Sequence, residues 1–84
     1  MGKLTMGIMV QEFLHHISEL ELDRVILEAS KGQEPMTTEA AAKYNTTRRQ
    51  VLRTLDIMLR VKDPKEKAKV QRMRERFVEE YPKR

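Results

Sequence analysis

The 84-residue chain contains no cysteine and no tryptophan. Without cysteine, neither a disulfide framework nor a thiolate metal site can hold the fold. The absence fits a reducing compartment, so a cytoplasmic location is expected. Aromatic residues are scarce, two Phe and two Tyr, too few for the stacking platforms that bind single-stranded RNA. Glycine and proline number three each, and no glycine-rich phosphate loop exists. No apolar run approaches the roughly 18 residues that span a bilayer, so no membrane association is expected. The opening MGKLTMGIMV has a short apolar stretch, followed by Glu12 and the paired His15 and His16. It reads as part of the fold rather than as a signal peptide. Met6 stands where a myristoylation signal needs Ser or Thr. His15 and His16 lack further ligands in sequence, and no serine pairs with an evident base. No metal, no cofactor and no enzymatic activity are therefore expected.

A chain of this length supports one domain, residues 1–84, that buries only roughly 60–65% of its unfolded surface. Net charge is +4, and it is unevenly spread. Residues 1–46 carry four basic and seven acidic side chains, whereas residues 47–84 carry thirteen basic and six acidic ones. A basic half on a small domain attracts polyanions, of which nucleic acid is the commonest; a well-solvated surface is the plainer alternative.

No stretch alternates apolar and polar residues as a strand does, whereas helix punctuation is dense. A first helix is predicted from about Leu4 to His16. Ser18 and Glu21 form a capping box that opens a second, over about residues 19–31, closed by Lys31 and Gly32. Thr37 or Thr38 caps a short alanine-rich helix at about 38–44. Asn45 and Thr46 form a turn, Asn being the non-glycine residue that best tolerates positive φ. Thr47 and Gln50 make a further capping box, opening a helix to about Val61. Asp63, Pro64 and Glu66 start a basic C-terminal helix at 64–81, ended by Pro82. The expected fold is all-α, a compact bundle of about five short helices.

The stretch TTEAAAKYNTTRRQVLRTLDIMLR, Thr37 to Arg60, combines a small alanine, a tight turn, a capping threonine and paired apolar positions. In this arrangement Val51 and Leu55 pack back on Ala41 and Tyr44. It resembles the helix-turn-helix of bacterial, phage and plasmid transcriptional regulators, here at residues 38–60, with Asn45 in place of the usual glycine and Thr46 in place of Val or Ile. More loosely, residues 20–61 resemble small regulators of the fimbrial-operon and plasmid-repressor kind. The resemblance implies a sequence-specific binder of double-stranded DNA, a small transcriptional regulator with the helix after Thr47 in the major groove. By position, Thr46, Thr47, Arg48, Arg49, Gln50, Arg53 and Arg60 form the reading surface. Asp56 is expected to pair with Arg53 or Arg60.

On the last helix Val70, Met73, Phe77 and Tyr81 make an apolar stripe, expected to pack on the domain. Lys65, Lys67 and Lys69, with Arg72, Arg74 and Arg76, extend the contact to flanking phosphates or form a solvated face. A homodimer is expected, since pairing doubles the footprint of a lone reading helix. The competing functions are a protein-interaction module, such as a phage or plasmid protein that binds a host factor, and a nucleic-acid scaffold without sequence preference.

Overall fold

The computed structural model describes residues 6–84, which form three helices: α1 (Met6–Ala29), α2 (Met36–Met58) and α3 (Pro64–Glu80). The predicted helix start at Leu4 lies outside the described residues. The chain runs up, down and up. Asp23 of α1 meets Lys43 and Thr47 of α2, and Asp56 of α2 meets Arg74 of α3, so each successive pair is antiparallel. No helix among the described residues is long and apolar enough to cross a membrane.

The bundle of about five short helices is thus corrected to three long ones, and the helix-turn-helix at 38–60 is absent. Two expected breaks do not occur. Ser18 lies exposed inside α1, and Glu21 is drawn away from any capping role: its carboxylate accepts from the Tyr81 hydroxyl at 2.6 Å and pairs with Arg24 at 2.6 Å. Asn45 and Thr46 lie in the middle of α2, and no non-glycine residue among the described residues has positive φ. Asn and Thr cost a helix only about 0.7 kcal/mol each relative to alanine. Thr46 turns its hydroxyl back to the Ala42 carbonyl at 3.0 Å, a bond that lets threonine stay within a helix. Tertiary burial outweighs that local cost. Tyr44, Thr47, Val51, Leu55 and Met58 recur at three- and four-residue steps and are all buried on one face. Val51 and Leu55 therefore do not fold back on Ala41 and Tyr44; they extend the same stripe.

Two boundaries follow the punctuation. Ser30 donates to Leu27 O at 2.9 Å, and Gly32 reverses the chain at φ +82, a conformation that glycine alone adopts without cost. Thr37 donates its hydroxyl to Ser30 O across this turn, and Glu34 accepts from the Thr38 backbone at 3.2 Å. At α3, Asp63 accepts from Lys65 N at 2.9 Å with Pro64 in the first turn.

The core joins Leu20 and Leu27 of α1 to the α2 stripe and to Val70, Phe77 and Tyr81. Phe13, Ile17, Leu52 and Met73 close its rim. The tail locks the three helices at one end. Tyr44 donates its hydroxyl to Pro82 O at 2.9 Å, Arg84 N donates to Asn45 Oδ1 at 2.9 Å, and the Arg84 guanidinium pairs with Glu28 at 3.2 Å. Asn45, expected to make a turn, instead holds the C-terminal segment.

Candidate nucleic-acid interface

The residues expected to read DNA divide into two sets. Thr47 and Arg48 face inward. Thr47 is buried, and its hydroxyl donates to Asp23 Oδ2 at 2.6 Å. Arg48 is half-buried, with Nε donating to Tyr81 O at 2.7 Å. Neither is free to meet a ligand. Thr46, Arg49, Gln50, Arg53 and Arg60 are exposed; the first four fall on the side of α2 opposite Val51 and Leu55. Arg49 and Arg53, four residues apart, make one outward stripe, and Arg60 is exposed in the turn that follows α2. Asp56 follows Arg53 near the end of α2, and its partner is Arg74 of α3 at 3.1 Å rather than Arg53 or Arg60. That bridge fastens the arginine stripe of α2 to the neighbouring helix.

On α3 the basic residues also split between two faces. Lys65, Lys69, Arg72 and Arg76 recur at steps of four, three and four, so they share one face, about 16 Å long at 1.5 Å per residue. All four are exposed. Lys67 and Arg74 lie on the other side, seven residues apart, along the edge nearest Asp56. Val70, Phe77 and Tyr81 occupy the buried side between them. Among the described residues, Arg53, Arg60, Lys65, Lys67, Arg72 and Arg76 have no carboxylate partner, and Lys69 has only Glu66 at 3.7 Å. Arg72 and Arg76 carry as much of this surface as the lysines before them; the signal that identifies them is their register with Lys65 and Lys69.

The acidic residues of α1 behave in the opposite way. Glu19 lies 3.6 Å from His15 and 3.3 Å from His16, Asp23 accepts from Lys43 at 3.3 Å, and Glu28 is 3.1 Å from Lys31. Glu21 is held below the usual carboxylate range, first by the Tyr81 hydroxyl and then by Arg24. Burial, reinforced by the Glu21 carboxylate, pushes the Tyr81 phenol up to about 12. The negative half of the sequence is thus largely consumed in contacts within the chain, and the positive half is left facing outward.

His15, His16 and Glu19 bring one potential ligand atom each within 4.8 Å of one another. The three belong to a single turn of α1, where helical spacing of three and four residues accounts for their grouping.

The aromatic rings stay inside. Tyr44, Phe77 and Tyr81 are buried and Phe13 is half-buried, so the described residues offer no exposed Phe or Tyr ring on which a base could stack. The class defined by these features is a three-helix protein with an outward cationic surface on two of its helices. No protein-family model matches the chain, and neither a curated protein nor a solved structure matches it.

Proposed function

We propose that the protein binds double-stranded DNA in the cytoplasm through phosphate contacts made by α3 and the outward arginines of α2. One observation carries the reading: the cationic stripe Lys65, Lys69, Arg72 and Arg76 on an exposed helix face, bounded at its C-terminal end by Glu79 and Glu80. Such an array attracts the duplex backbone and releases its counterions, which supplies affinity without base recognition. The buried aromatic rings favour duplex over single strands. Base reading by a helix that follows a turn loses its support with the continuity of α2. Any sequence preference falls to Arg49, Gln50 and Arg53, whose side chains suit guanine and adenine edges.

The test is fluorescence anisotropy of a labelled random-sequence duplex across a salt series. Wild-type binding falls linearly on a log–log plot. The variant carrying Lys69→Ala, Arg72→Ala and Arg76→Ala reduces the magnitude of that slope by about 2.7, at about 0.9 for each lost phosphate contact. Failure to retain duplex at low salt, or an unchanged slope in the triple variant, rules the reading out. Equal affinity for all duplexes assigns a scaffold; selection of one site from a random pool assigns sequence recognition.

A further inference from the structure

The outer face of α1 is apolar. Leu14, Leu22, Val25 and Ile26 of this helix, with Met36 at the start of α2, are between 48 and 60% exposed. Ser18 and Ala29 share the face, and both are small enough to let another helix approach closely. The band runs about 22 Å along α1 from Leu14 to Ala29, taken at 1.5 Å per residue. The opposite side of the same helix already contributes Leu20 and Leu27 to the core. A helix that is apolar on both sides is buried on both sides.

We infer that this face pairs with the same face of a second copy of the chain. Three observations select that occupant. First, the chain by itself is not compact. Its radius of gyration is 14.7 Å and its extent in the thinnest direction 14 Å, whereas a compact chain of this length has a radius of about 12 Å. A second layer of helices packed on α1 supplies what is missing. Second, charge directs the pairing. The cationic surfaces of α2 and α3 repel one another between copies. Carboxylates beside the α1 face are matched within their own chain, Glu28 by Lys31 and Arg84 and Asp23 by Lys43, and Glu19 lies within hydrogen-bond reach of His16 at 3.3 Å. The face therefore meets its copy with far less repulsion than the cationic surfaces do, and it offers little to a polyanion. Third, a cysteine-free chain of 84 residues has no disulfide to supplement a small core, and oligomerisation is the usual alternative. The pair is isologous, each patch meeting itself across a two-fold axis. It leaves α3 outside, so the inference stands independently of DNA binding.

Light scattering coupled to size exclusion tests it at about 100 μM chain, where a pair of micromolar affinity is essentially fully formed. Wild type elutes at twice the 9.9 kDa chain mass. Leu22→Lys and Ile26→Lys each weaken association by about a thousand-fold, since a core position is worth about thirty-fold or more and each substitution occurs twice in the pair. Both positions are exposed in the single chain, so far-ultraviolet circular dichroism of the two variants stays helical. Arg72→Ala leaves the mass unchanged. A wild-type monomer at this concentration overturns the inference, as does a Leu22→Lys variant that remains paired.

Discussion

The continuity of α2 through Asn45 gives a prediction in which the sign of an effect, and not only its size, decides. Asn45→Ala and Asn45→Gly both delete the carboxamide that accepts from Arg84 N at 2.9 Å, so that loss cancels when the two variants are compared with each other. What remains is the preference of the backbone at position 45. Inside a helix, glycine is less favourable than alanine by about 0.8–1.0 kcal/mol. At a left-handed turn the order reverses, because a Cβ in that conformation costs roughly 1–2 kcal/mol. The structure places Asn45 in the interior of a 23-residue helix, with no positive φ at any non-glycine residue among the described residues. Asn45→Gly is therefore expected to be about 1 kcal/mol less stable than Asn45→Ala. In a domain of this size that difference moves the melting temperature by about 4–8 °C. Urea denaturation followed by circular dichroism at 222 nm measures it under two-state conditions. If Asn45→Gly proves equal to or more stable than Asn45→Ala, α2 is broken at this residue and a helix-turn-helix returns.

Two further predictions concern the contacts that join the helices. Thr47→Val keeps the shape of the side chain but removes the bond to the buried Asp23 carboxylate, and it is expected to cost about 2 kcal/mol, as for other hydrogen bonds to charged groups. A double-mutant cycle with Asp23→Asn then shows a coupling of about 1 kcal/mol or more; a helix-capping Thr47 would act independently of Asp23 and give a coupling near zero. Tyr81→Phe removes the hydroxyl bonded to Glu21 and is expected to cost about 1 kcal/mol at neutral pH. The pH dependence has two arms. The Tyr81 phenol titrates at about 12 in the folded chain against an ordinary 10.0, so its stabilisation is complete below 10 and is lost as pH rises towards 12. The Glu21 carboxyl is lowered, so its stabilisation is present above the ordinary carboxylate range and is lost as pH falls through the folded value. Urea midpoints from pH 10 to 12 are expected to fall more steeply in wild type than in Tyr81→Phe; parallel curves would contradict the assignment.

The sequence speaks clearly where a signal depends on backbone chemistry that nothing distant can replace. Gly32 takes the positive φ its position requires, and Asp63 with Pro64 opens α3 through a local side-chain bond. It misleads where the same residue types have distant partners to satisfy. Ser18 and Glu21 have capping-box spacing, yet Glu21 is claimed by Tyr81, sixty residues away. Thr47 and Gln50 have it too, yet the Thr47 hydroxyl is claimed by Asp23. The apolar stripe Tyr44, Val51, Leu55 and Met58 crosses the supposed turn without losing phase, and this is the signal that could have revealed α2 as one helix. A true turn would have displaced the stripe. At the candidate interface, the outward residues Arg49, Gln50 and Arg53 are legible from their phase against that stripe. Thr47 and Arg48 follow from the same phase as inward residues once the turn is set aside.

The change of charge sign at Thr47 outlasts the motif that it first supported. In a helix-turn-helix it would mark the start of a reading helix, but α2 passes through it unbroken. Its meaning is instead tertiary. The antiparallel pairing of α1 with α2 brings Asp23 to Lys43 and Thr47, and the returning tail brings Arg84 to Glu28 and Tyr81 to Glu21. The acidic half thus finds its partners inside the fold. The basic half has fewer acids within reach, and Asp56 and Glu66 engage only Arg74 and Lys69. A solvated surface that served solubility alone would gain from interspersed signs, because like charges at helical spacing repel by a few tenths of a kcal/mol per pair. Glu66 offsets Lys69, and Glu79 and Glu80 lie beside Arg76, but Lys65, Lys69, Arg72 and Arg76 still keep part of that repulsion along one helix face. Such an arrangement lowers the stability of the free chain and is relieved when a polyanion lies across it, which is the physical reason to prefer a duplex over solvent as the partner of α3.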